Sequence, residues 1–214
     1  MTRILAVADE VEESLYGGAL GAIEPDAVVA CGDLPFDYLE YIVTVLNVPL
    51  VYVPGNHDPD LVRKRRETEA QDVVSPFSFW PEEDEVAGPQ GCTNIDGRVT
   101  EIAGLRVAGL GGSLRYTEGP NQYTQKQMRL RALRLELRSR RRVDVLVTHA
   151  PPLGVGDDDD PCHEGFAAFH GLVKRLSPRV LVHGHIHPYG VKAADRRLNG
   201  TNVVNAVGLR ILEI

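Results

Sequence analysis

Leu50-Val51-Tyr52-Val53-Pro54-Gly55-Asn56-His57-Asp58 is a short apolar run that breaks on Pro-Gly and then delivers three polar side chains in succession. A continuous apolar, β-branched run closed by turn formers reads as a strand buried on both faces. The pattern repeats on either side. Residues 4–8 run into Asp9, 27–31 into Gly32-Asp33, 143–147 into Thr148-His149, and 180–182 into His183-Gly184-His185-Ile186-His187. Residues 105–110, 202–207 and 209–214 complete the candidate strands. Ligands of open α/β sheets gather at the carboxyl ends of strands. Five such ends here supply Asp, Asn or His, donor types suited to a borderline divalent metal. Gly32, Gly55 and Gly184 let the backbone turn sharply, so that the next side chain points into a common site.

Helical patterns lie between the strands. Val11, Leu15 and Ala19 recur every fourth residue, and residues 38–46 and 166–176 carry similar faces. Residues 124–142 are the clearest, with Leu130, Leu133 and Leu137 on one stripe and Arg131, Arg134 and Arg138 on another. The arginines, like those at 63–66, read as solvated faces; whether the leucines serve the core or a partner stays open. Strand–helix alternation in the first and last thirds predicts a layered α/β architecture. Residues 97–112 read as hairpin-forming strands, and 75–91 are rich in Pro and acids. With no repeat and no linker between two cores, residues 1–214 read as a single domain.

Composition narrows the function classes. The 43% apolar and 25% charged residues are ordinary globular usage. No apolar run is long enough to span a membrane, and the amino-terminal segment is too short for a secretory leader. Three widely spaced cysteines, Cys31, Cys92 and Cys162, make a disulfide framework improbable, so a cytoplasmic location is expected. The formal charge of −7 argues against nucleic acid as the partner and leaves room for a small phosphorylated substrate, a nucleotide among the candidates. Oligomeric state is left open.

Taken singly, each polar residue has an ordinary explanation: a helix cap for Asp, a turn for Asn, a hydrogen-bonded structural role for His. Jointly they form an ordered set. In this order they resemble the calcineurin-like metallophosphoesterases, whose pattern is Asp-x-His, Gly-Asp, Gly-Asn-His-Asp/Glu, a strand-end His and Gly-His-x-His. This chain has Asp9-Glu10-Val11, Gly32-Asp33, Gly55-Asn56-His57-Asp58, Thr148-His149 and Gly184-His185-Ile186-His187. The resemblance implies an α/β fold, a four-layer αββα sandwich of two mixed β-sheets flanked by helices. It implies that Asp33 bridges two metals, that Asn56, His149 and His185 complete one metal site, and that Asp9 and His187 belong to the other. His57 would donate to a phosphate oxygen or protonate the leaving group, since imidazole titrates near neutral pH. The activity implied is metal-dependent hydrolysis of a phosphodiester or small phosphomonoester through metal-activated water. The cofactor would be one or two divalent ions per chain, manganese first and iron, zinc or nickel as alternatives.

The chain departs from the pattern twice. The first-block histidine is Val11, which coordinates nothing; Glu10, Glu12 or water would have to stand in. The acid often found three residues after the bridging one is missing, and Asp37 lies one residue too far on. The first departure motivates an alternative reading, a non-catalytic metal- or nucleotide-binding module with a degenerate first metal site.

Arg115, in Gly111-Gly112-Ser113-Leu114-Arg115-Tyr116, is a candidate phosphate clamp, although a surface arginine in a glycine turn fits equally well. For Tyr116 and Tyr123, packing is preferred to stacking on a substrate ring. The run 157–160 reads more readily as a solvated loop than as a cluster of ligands, His170 as structural, and His183 as support for its neighbours. The part played by His163 stays open. Loops at 77–91, 115–123 and 153–166 are expected to shape substrate choice.

Overall fold

The computed structural model describes residues 1–61, 88–140, 142–188 and 194–214. The basic stretch 63–66 and residues 75–87 of the Pro- and acid-rich segment, with most of the candidate loop 77–91, lie outside the described residues. Strands run as β1 (Arg3–Ala8), β2 (Ala27–Ala30), β3 (Leu50–Tyr52), β4 (Cys92–Asn94), β5 (Val99–Ile102) and β6 (Leu105–Leu110). They continue as β7 (Ser113–Leu114), β8 (Gln122–Tyr123), β9 (Val145–Thr148), β10 (Val180–His183), β11 (Arg196–Leu198), β12 (Thr201–Asn205) and β13 (Gly208–Glu213). The α-helices described are α1 (Phe36–Leu46), α2 (Gln125–Ser139) and α3 (Ala168–Leu176).

Two mixed sheets carry the fold, in the orders β13-β1-β2-β3-β4 and β11-β12-β10-β9-β6-β5, with β7 and β8 forming a small ribbon. Within the first, β1, β2, β3 and β4 are parallel and β13 is antiparallel to β1. Within the second, β6, β9, β10 and β12 are parallel, with antiparallel β5 and β11 at the edges. Successive side chains of a strand face opposite ways, and the core divides accordingly. Ala6, Ala8, Val29, Cys31, Val51 and Val53 meet Val107, Val145, Val147, Val182 and Val204 between the sheets. The alternate positions of the first sheet, Leu5, Val7, Val28, Ala30 and Tyr52, pack under α1 through Tyr38, Leu39 and Ile42. Those of the second, including Leu110, Leu146 and Leu181, pack under α2 and α3. The result is four layers: helix, sheet, sheet, helix. Parallel order brings the carboxyl ends of β1, β2 and β3 side by side, and likewise those of β9 and β10.

Two expectations are corrected. The stripe Val11, Leu15, Ala19 does not form an α-helix: the segment folds as 3-10 turns at Glu13–Gly18 and Leu20–Ile23. Gly17 and Gly18 take φ of +80° and +99°, which ends any regular helix, and Leu20 is buried in place of the exposed Ala19. On α2 the arginine face is only partly a solvated one, and the leucine stripe, left open by the sequence, does not enter the core. Met128, Ala132, Leu135 and Ser139 are buried, while Leu130, Leu133 and Leu137 are exposed. Two of the arginines face structure: Arg131 pairs with Asp96 and lies 3.8 Å over the Tyr123 ring, and Arg138 donates to the Gly97 carbonyl at 2.7 Å. No helix among the described residues is long and apolar enough to cross a membrane.

Candidate metal centre

The residues after β1, β2 and β10 leave their strands through unusual backbone. Asp9, Asp33 and His185 have φ of 59°, 56° and 68°. Left-handed backbone is uncommon for residues other than glycine and concentrates at functional sites. Of the three flanking glycines only Gly32 needs its own positive φ, at +97°. Gly55 and Gly184 are required for close approach instead. A Cβ at Gly55 would overlap the Asp33 carboxylate, and one at Gly184 would overlap that of Asp9.

These turns converge. Asp9, Asp33, His149 and His185 each present a candidate ligand atom, and the four atoms lie within 4.8 Å of one another. His149 is fully buried, with Nε2 3.0 Å from Asn56 Oδ1 and 3.3 Å from Asp33 Oδ2. Its other nitrogen, Nδ1, donates to the Cys31 carbonyl at 2.8 Å, which commits Nε2 to the cluster. His185 is treated in the same way: its Nε2 donates to the Cys162 carbonyl at 2.8 Å, leaving Nδ1 available, and its backbone N–H donates to Asp9 Oδ2 at 2.9 Å. The two rings stand 4.8 Å apart, centroid to centroid.

His187 is more loosely placed. Its Nε2 is 3.9 Å from Asp9 Oδ1 and its Nδ1 3.0 Å from Glu10 Oε1, and its side chain is 47% exposed. Val11 is half-buried against the core under α1 and faces no ligand role. Glu10, an expected stand-in for the missing histidine, reaches the site through His187 and is not among the four converging groups. His57 is exposed, and its backbone N–H donates to Asp33 Oδ1 at 2.8 Å. Arg115 is not brought into this group. Its guanidinium donates to the Gln122 carbonyl at 3.3 Å and lines a cavity of about 420 Å³ with Pro54, Asn121 and Arg131.

Electrostatics fit a site built for cations. Burial pushes the Asp9 carboxyl up from its ordinary range, against the opposing pull of His149. Burial acts the same way on Asp33 but is outweighed by the hydrogen bond and charge of His149, so Asp33 stays ionised more readily than usual. For His149 burial favours the neutral ring, yet the bond to Asp33 and the charges of Asp33 and Asp9 lift its pKa to about 9. His185, buried beside that imidazolium, falls to about 3. A proton on His149 thus balances carboxylates that a divalent ion would balance better. Metal–ligand distances of about 2.0–2.2 Å set the ligand atoms around one ion roughly 3.3–4.4 Å apart, so a cluster within 4.8 Å needs a contraction on the order of an ångström. The mixed carboxylate, amide and imidazole donors suit a borderline or hard divalent metal.

Several contributors were not visible beforehand. Asp58 is buried, and its Oδ2 accepts from Gly55 N at 2.7 Å and Asp33 N at 3.0 Å, tying two ligand turns together. It stands inside the quoted Gly-Asn-His-Asp block, so a signal was there. The carbonyls of Cys31 and Cys162 left none, because any residue supplies a carbonyl. Tyr116 accepts from Asn56 Nδ2 at 3.1 Å, which points Asn56 Oδ1 at His149. Its 60-residue separation from Asn56 could not be read as a contact. His183 is buried, with Nδ1 2.9 Å from the Gly184 carbonyl, and His170 bonds the Leu153 carbonyl at 2.7 Å.

The calcineurin-like phosphoesterase family matches residues 5–189 of the sequence. The chain belongs to that family. One crystal structure superposes with a TM-score of 0.66 at 19% identity, covering 99% of this chain and 94% of that one. The crystal structure of TT1561 of Thermus thermophilus superposes with a TM-score of 0.59 at 19% identity, covering 97% of this chain and 89% of that one. At such identity these likenesses establish the fold alone. No curated protein matches the sequence. The two mixed sheets flanked by helices are the calcineurin-like architecture, and the Asp and His cluster is its candidate metal site.

Proposed function

We propose that this calcineurin-like phosphoesterase hydrolyses a phosphodiester or small phosphomonoester with divalent ions held at the strand ends. The observation that carries the reading is the convergence of Asp9, Asp33, His149 and His185 within 4.8 Å from four separate strands of two sheets. Asp33, Asn56, His149 and His185 would hold one ion, and Asp9, Asp33 and His187, with Glu10 beside it, a second. When bound, such ions lower the pKa of water and offset charge on phosphoryl oxygens. The chain supplies the rest. Asp58 and the carbonyls of Cys31 and Cys162 fix the ligands before any substrate arrives. Exposed His57, next to Asn56, is open to a bound ester and is assigned proton donation to the leaving oxygen. Manganese is the first choice of metal, and the free cysteines fit a cytoplasmic setting.

A second reading, a metal- or nucleotide-binding module without turnover, draws on Val11 and on the exposure of His187. One experiment separates the two. Purified protein is loaded with Mn²⁺, its metal content is counted, and p-nitrophenyl mono- and diesters are offered. Turnover of either class with one or two ions per chain supports the hydrolase. A stably bound ion with no turnover on any ester, whichever of manganese, iron, zinc or nickel is supplied, sinks it in favour of the binding module.

A further inference from the structure

Among the described residues a second group of metal-binding side chains lies outside that centre. Asp160, Cys162 and His163 each present a ligand atom, again within 4.8 Å of one another. Asp160 organises the turn. Its Oδ1 accepts from the Cys162 and His163 backbone N–H groups at 3.0 and 3.1 Å and from Cys162 Sγ at 2.8 Å, while Oδ2 lies 2.7 Å from His163 Nδ1. Sulfur, nitrogen and oxygen therefore face a common point instead of dispersing into solvent. Cys162 Sγ and His163 Nδ1 are 3.8 Å apart. In a tetrahedral zinc site, with Zn–S about 2.3 Å and Zn–N about 2.0–2.1 Å, sulfur and nitrogen ligands stand roughly 3.5 Å apart. The thiol and imidazole already have nearly that spacing, and the carboxylate abuts both.

We propose that this turn binds one thiophilic divalent cation, zinc first, through Cys162 Sγ, His163 Nδ1 and an Asp160 oxygen, with water completing the shell. The thiol proton passes to solvent as the ion binds, because the thiolate is the ligand. A donor set containing sulfur selects differently from the oxygen- and nitrogen-only centre, since thiolate favours zinc or cobalt over manganese. The two sites are also in contact. The Cys162 carbonyl accepts from His185 Nε2 at 2.8 Å, and the rings of His163 and His185 lie 5.3 Å apart. An ion in the turn would fix the carbonyl that orients His185, so occupancy of each site would raise affinity at the other by the same factor.

Cobalt(II) reports the ligand directly, because thiolate coordination gives a charge-transfer absorption that oxygen and nitrogen ligands do not. The metal-free full chain is titrated with Co²⁺ as wild type, Cys162→Ser and His149→Ala. The wild type should develop the thiolate band and bind one ion more per chain than Cys162→Ser, which should lack the band. His149→Ala should retain it. Absence of the band in wild-type protein that binds cobalt, or a band of equal strength in Cys162→Ser, would leave the turn as a hydrogen-bonded loop and overturn the proposal. Neither result bears on phosphoesterase activity, which is read separately with ester substrates.

Discussion

Asp9, Asp33 and His185 each hold a left-handed conformation that costs a non-glycine residue about 1–2 kcal/mol. The hydrogen bonds across the turns offset that cost. Asp9 accepts from His185 N, Asp33 from His57 N, and Asp58 from both Gly55 N and Asp33 N. The arrangement leaves no room at Gly55, where a Cβ would also come within 2.8 Å of Asp33 N. Gly55→Ala is therefore expected to destabilise the protein by about 1–3 kcal/mol, a fall of several degrees in Tm for a chain of this size. It should also weaken metal binding, because Asp33 must move. Calorimetry and a metal titration check both, and an unchanged affinity would mean that Asp33 is not a ligand. At this scale the sequence exposed the converging candidate side chains well, because Asp, Asn and His after apolar strands stand out. It concealed the groups that aim them. Two are carbonyls, which every residue possesses, and Tyr116 is brought to Asn56 only by the folded chain.

Helix α2 shows what periodicity can and cannot decide. Its start is explicit: Thr124 and Gln127 form a reciprocal capping box, with Gln127 N donating to Thr124 Oγ1 at 3.2 Å and Thr124 N to Gln127 Oε1 at 2.8 Å. Which face turns inward was not explicit. The stripe Leu130, Leu133, Leu137 and the buried stripe Met128, Ala132, Leu135 both follow helical spacing, and only packing against β6, β9 and α3 selects between them. Arginine also misleads, since its guanidinium finds partners at the edge of a packed face, as Arg131 does over Tyr123. Leu135→Ala is expected to cost about 2–5 kcal/mol, whereas Leu137→Ala should stay within about 0.5 kcal/mol of wild type. Urea unfolding of the pair measures this, and equal losses would contradict the orientation described. The segment after β1 failed for a different reason. Apolar residues at fourfold spacing suggested a helix, but Gly17 and Gly18 interrupt it with positive φ.

At the scale of the whole molecule, the site exists because two sheets present their carboxyl ends to each other. His149 Nδ1, on the second sheet, donates to the Cys31 carbonyl on the first, and the backbone of His185 donates back to Asp9. A layered α/β order was legible because strands apolar on both faces alternate with helical patterns and five of them end in Asp, Asn or His; the four-layer form came from the family resemblance. The short β4, β7, β8 and β11 were not, since strands of two or three mixed residues carry no periodicity. His149 is fully buried where the two sheets meet and touches Asp33, Asn56 and the Cys31 carbonyl. The decisive measurement is a titration of metal-free protein with Mn²⁺ while bis-p-nitrophenyl phosphate hydrolysis is followed, for wild type and His149→Ala side by side. Turnover should appear as the first one or two equivalents bind, vanish with a chelator, and fall about 100-fold or more in His149→Ala, since loss of a ligand should exceed the roughly 10–100-fold lost when only a group that orients a ligand is removed. Turnover that persists without metal, or that His149→Ala retains at the wild-type rate, would contradict the account.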